Sequence, residues 1–160
     1  MGNFSIQTRR PVLQSFKLFE VDITVYRTLS NGSVAIPPKL RQVATFANAI
    51  VLNGLTHVDG QDGYFLDADL YAGVILKVDI AAGSVTTAIN DTPMAPTATK
   101  AGGINGLRYQ NSYLCYTNTA TNSYYRIPVY PNATASGNPR SLRRSRKERI
   151  SYWVDLKQPK

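Results

Sequence analysis

The chain has one cysteine in 160 residues, Cys115, so no disulfide can close within it. Cys115 lies in the apolar run Tyr113–Thr117, where a lone thiol is expected to pack as a small buried hydrophobe. There is one histidine, His57, and no nucleophile elbow, which leaves no Ser-His-Asp or Cys-His arrangement to build on. His57 sits at the rim of a turn and reads as a loop residue, with a general base as the alternative. No apolar run approaches the ~18 residues of a membrane span. The first 30 residues hold no apolar core of a signal peptide, so a cytoplasmic location is the default expectation and secreted relatives stay open. Acidic residues are also scarce, ten against 18 Lys and Arg, for a net charge of +8. That charge is uneven: residues 1–136 carry +2 and residues 137–160 carry +6. The basic run Arg140–Arg149 has no interleaved aromatics, so a nucleic-acid partner is not expected.

What the chain does have is one pattern written twice. Leu52-Asn53-Gly54-Leu55, a turn, Tyr64–Asp69 and Gly73–Asp79 are followed by Ile104-Asn105-Gly106-Leu107, a turn, Tyr113–Asn118 and Tyr124–Val129. The two Asn-Gly pairs lie 52 residues apart, and Asp69 falls opposite Asn118. Short alternating strands, Gly turns and a period of this length predict propeller blades, each a small twisted sheet that buries its faces against its neighbours. Ten Tyr, five Phe and 43% hydrophobic residues suit such a strand-rich protein. A closed six-bladed ring takes roughly 270–330 residues. The expectation is therefore all-β, a partial six-bladed propeller of about two to three blades.

The expected organisation is a frayed N-terminus at 1–15, blades over 16–136 and a basic tail at 137–160 outside the propeller. Phe16–Leu29 alternates as a single strand, Ser30–Ser33 is a hairpin turn, and Val34–Ile36 resumes the strand. The linker Asn90–Gly103 reads as a long inter-blade loop. After the loop Tyr130–Gly137 a fourth strand is due, but the run from Asn138 to Arg149 shows no strand alternation. A cut-off blade with a non-homologous end, from truncation, a retained intron or a shifted frame, is the reading for that tail.

Phe46–Leu55, Asp69–Val78, Asp91–Pro96 and Gly103–Val129 resemble the fungal branch of the senescence-marker-protein/gluconolactonase-like six-bladed propellers. The resemblance covers roughly residues 40–130. It implies one of two activities. In the lactonase branch a divalent metal such as calcium is held by Asn, Asp and Glu from several blades. Asn53 looks like that branch's metal-binding Asn, and Asn105 looks like a position where the hydrolases place Asp. A neutral amide there gives up carboxylate charge, and the first-blade Glu has no match. The other branch includes hetero-Diels–Alderases of secondary metabolism. These need no metal or other cofactor, only an apolar pocket that holds two reactants together. The resemblance thus implies a ring-forming cyclase with an apolar small-molecule substrate, or a remnant of one. A metal-dependent lactonase and a catalytically inert fragment are the alternatives.

The candidate channel-lining, substrate-binding residues are Asn53, Asp69, Asn105, Asn118 and Tyr116, and Tyr116 belongs to a Tyr-rich second blade that could wall a pocket. No metal site is expected; Asn53 and Asn105 are its weak alternative. The alternative for each Asn-Gly is that it sets a turn, while for Asp69 and Asn118 capping of the loop at a strand end is the leading reading.

Overall fold

The computed structural model describes residues 15–58, 60 and 63–142. Most of the expected frayed N-terminus (1–15) and most of the basic tail (137–160) lie outside these. Among the described residues the protein is all-β, with several antiparallel sheets and one turn of 3-10 helix, Thr92–Met94. No helix there is long and apolar enough to cross a membrane.

Strands β1 (Lys17–Asp22) and β4 (Lys39–Thr45) pair with each other, and β2 (Arg27–Thr28) and β3 (Val34–Ile36) form a small hairpin. The sequence predicts one strand over Phe16–Leu29, and the structure breaks it at Asp22. That carboxylate accepts from the backbone N–H of Thr24 at 2.9 Å and from its hydroxyl at 2.6 Å, which turns the chain before β2. The turn expected at Ser30–Ser33 is present, with Gly32 at φ +83°.

Two four-stranded meanders follow. The first sheet is β5 (Leu52–His57), β6 (Tyr64–Asp69), β7 (Val74–Asp79) and β8 (Ser84–Asn90) in chain order. The second is β9 (Ile104–Gln110), β10 (Tyr113–Asn118), β11 (Ser123–Pro128) and β12 (Arg140–Ser141). Strand β12 corrects the expectation of a cut-off blade. Arg140 and Ser141 pair with Arg126 and Tyr125, and Leu142 N–H donates to Tyr124 C=O at 2.8 Å. The pairing rests on backbone groups, so two residues of a charged run make it without any apolar alternation.

Side chains alternate across each sheet. The front face of the first sheet, with Phe65, Leu76 and Val78, closes a small core against Val43, Ala44 and Phe46. Its back face, with Leu66, Ala68 and Ile75, packs on the front face of the second sheet, where Leu114, Tyr116 and Ile127 are buried. The linker Asn90–Gly103 is not an open loop. It drives Met94 completely out of solvent into this inter-sheet layer. Gly103 makes that possible, since a Cβ there would stand 2.3 Å from the Met94 carbonyl oxygen. The back face of the second sheet, with Tyr113, Arg126 and Thr117 exposed or half-exposed, packs on neither of the two cores.

Candidate functional site

The repeated Asn-Gly pairs are bulges. In β5 the register jumps from Leu52↔Asp69 to Leu55↔Asp67, so Asn53 and Gly54 together face Ala68. In β9 Gly106 is the extra residue between Leu107↔Tyr116 and Asn105↔Thr117. Both glycines have positive φ, +126° and +58°. The bulges abut: a Cβ on Gly54 would lie 2.7 Å from Leu107 N and 3.0 Å from Gly106 Cα. Thr56 Oγ1 accepts from Tyr109 N–H at 3.1 Å and ties the two first strands together. Asn53 is exposed here. Asn105 spends its amide on Thr119 Oγ1 at 3.0 Å, while its carbonyl accepts from the Thr117 hydroxyl.

Asp69 and Asn118 are repeat partners in structure too, but each points into the protein and is 1% exposed. The Asp69 carboxylate accepts from four backbone N–H groups, Ile50 (2.7 Å), Val51 (3.3 Å), Tyr71 (3.2 Å) and Ala72 (3.1 Å). Asn118 Nδ2 donates to the carbonyls of Pro93 (2.9 Å) and Ala95 (3.0 Å), and its Oδ1 accepts from Thr121 N–H at 3.1 Å. Each side chain therefore staples the end of a second strand to the loop that leads into its own sheet. The loop ahead of β5 offers N–H groups, which call for a carboxylate. The loop ahead of β9 offers C=O groups, which call for an amide. These are strand-end caps.

Tyr116 is 1% exposed and stacks on Tyr125, with ring centroids 5.3 Å apart. It is 49 residues after Asp67, as Asn118 is after Asp69. The Tyr116 hydroxyl and Asp67 Oδ1 are both buried without a hydrogen-bond partner among the described residues. Burial, followed by the nearby Tyr125 and Asp91, pushes the Tyr116 phenol well above its usual range. Burial, more than the neighbouring Asp69, raises the Asp67 carboxyl from 3.8 to about 6. No sequence signal pointed to Asp67 beyond a weak Asp-x-Asp; the 49-residue offset in the second strands would have paired it with Tyr116.

Beside Asp69 opens a cleft of about 340 Å³ on the front of the first sheet. Phe46, Val74, Leu76 and Val85 give it apolar walls, and Asn48 and Thr87 give it polar groups. His57 is not a loop residue. It ends β5 and meets the Phe65 ring edge-on at 5.0 Å. Cys115 is half-buried on the open back face rather than packed away, and its cross-strand neighbours are Arg108 and Arg126. Among the described residues no three His, Cys, Asp or Glu side chains converge as metal ligands would. Asn53 and Asn105 offer amide oxygens alone, without the charge that chiefly holds a hard cation. No protein-family model matches the chain, and neither does any curated protein.

Proposed function

We propose that the two sheets are consecutive blades of a six-bladed-propeller type of ring and that the protein binds a small apolar molecule as a ring-forming cyclase of the hetero-Diels–Alderase kind. The blade reading is supported by the matching strand-end staples and by the abutting bulges of β5 and β9, which set the two first strands side by side. The observation that carries the binding reading is the cleft beside Asp69. Its size suits a small ligand, and Phe46, Val74, Leu76 and Val85 wall it with carbon.

Cyclisation of this kind moves no proton to the protein and forms no bond with it. The protein's part is to hold the two reactants in near-attack geometry, and a hydrogen-bond donor can draw charge toward a carbonyl as the ring closes. The Thr87 hydroxyl and the Asn48 amide are the donors at hand in the cleft. Asp69 shapes the floor without acting on the substrate, since its oxygens are engaged by backbone N–H groups.

Methyl-resolved NMR with a terpene hydrocarbon as probe tests this reading. The expected result is saturable shifts at Val74, Leu76 and Val85, abolished when Val85→Trp fills the cleft. A folded protein whose cleft methyls stay unmoved by the terpene would overturn it.

A further inference from the structure

We propose a second, separate site: the back face of the second sheet binds an oxyanion at Arg126 and Arg140, namely the phosphate group of a small phosphorylated ligand. Strand register places the two arginines directly opposite each other on β11 and β12, hence on the same face. Arg126 also pairs with Cys115 on β10, and Cys115 with Arg108 on β9. Three guanidinium groups thus share one row across the sheet. Like charges set directly opposite on neighbouring strands repel. Among the described residues the ion pair found is Arg41 with Glu20, on β4 and β1, so no carboxylate there answers this row.

The first sheet shows what the same slot does when it is complete. Lys77 lies over the Tyr64 ring at 4.8 Å, and Arg126 lies over the Tyr113 ring at the same distance, each 49 residues on. Lys77 also donates to an oxygen, the Asn132 carbonyl at 3.5 Å, which the loop between β11 and β12 supplies. Beside Arg126, at the neighbouring-strand position that Thr86 holds beside Lys77, stands a second cation, Arg140. Beside the pair is a mainly polar cleft of about 410 Å³, walled by Tyr113, Pro128, Ser136 and Asn138. Two guanidinium groups around a polar recess match a group bearing two negative charges and several acceptor oxygens, and the planar donor fork of Arg binds phosphate two bonds at a time.

The test is a titration of the full chain with inorganic phosphate, with ionic strength held constant by chloride. Backbone amides of Gly137 and Asn138 and the Nε–H signals of Arg126 and Arg140 are followed by NMR. Saturable shifts at these groups are expected. Arg126→Gln and Arg140→Gln should each weaken binding by about tenfold or more, as loss of a charged hydrogen bond implies, while Arg27→Gln on β2 leaves it unchanged. A linear drift without saturation, or equal weakening by all three substitutions, would overturn the site in favour of diffuse positive charge. So would a single-stranded oligonucleotide that competes for phosphate by binding at residues 143–160 while Arg126 and Arg140 stay silent.

Discussion

The two four-stranded sheets share a plan but not a setting. The first is covered on both faces, by the Val43–Phe46 cluster in front and by the second sheet behind. Among the described residues the second is covered in front only. The contrast shows up residue by residue: Leu66 on β6 is fully buried, while its counterpart on β10, Cys115, is half-exposed, and the strand neighbour of Lys77 is Thr86 where that of Arg126 is another arginine. Repetition of the sequence fixes which way a side chain points. What it meets there depends on the neighbour.

The sharpest break in the comparison comes from the shared layer. Leu66→Ala and Leu114→Ala each empty a fully buried position in it and should cost about 2–5 kcal/mol. Thr117→Ala, on the open face, should cost only about 0.5–1.5 kcal/mol, the worth of its hydrogen bond to the Asn105 carbonyl. Urea unfolding followed by circular dichroism reads all three, and equal costs would mean that the back of the second sheet is covered after all. Next are the strand-end staples. Asn118→Asp sets a buried carboxylate against two carbonyl oxygens and should lose about 3 kcal/mol or more. Asp69→Asn turns an NH2 toward backbone donors and should lose about 1–3 kcal/mol by the same measurement.

Asp67 adds a pH dependence to the first sheet. Its folded pKa of about 6 lies above the unfolded value of 3.8, so its contribution to stability is fully present below pH ~4 and is lost as the pH rises through 6. Asp67→Asn should therefore raise the melting temperature at pH 7 and have little effect at pH 4. Melting curves across that range check the sign, and a benefit confined to low pH would contradict it. The smallest effect separates the two cations: Arg126→Ala should cost less than about 0.5–1 kcal/mol, since the loss of an exposed cation–π contact is offset by relief of the repulsion from Arg140. Lys77→Ala should cost somewhat more, because the hydrogen bond to the Asn132 carbonyl goes with it.

Strands β5–β7 and β9–β11 were legible because alternating apolar residues and Gly turns are local signals. The alignment of Asp69 with Asn118 was legible too, and so was capping at the strand end, but the groups they cap were not. Their partners, Ile50 and Val51 for one and Pro93 and Ala95 for the other, are backbone groups in loops, which a pattern of side chains does not reveal. Strand β12 escaped for the same reason, and the apparent long strand at Phe16–Leu29 hid a turn made by a single carboxylate, that of Asp22. Of the five candidate site residues, Asn53 is exposed and Asp69 reaches the edge of a cleft; Asn118 and Tyr116 are interior, and Asn105 is held by Thr119.

The opposite polarity of the two staples has one more consequence. Tandem repeats risk folding into one another's places, since their strands are alike enough to exchange. Strand β6 ends in a group that only accepts, and β10 in one that must donate to satisfy Pro93 and Ala95. A chain that threaded β10 behind the loop at Ile50, or β6 behind the loop at Pro93, would set donor against donor or acceptor against acceptor. Two atoms, an oxygen in one repeat and a nitrogen in the other, label each sheet with its own address.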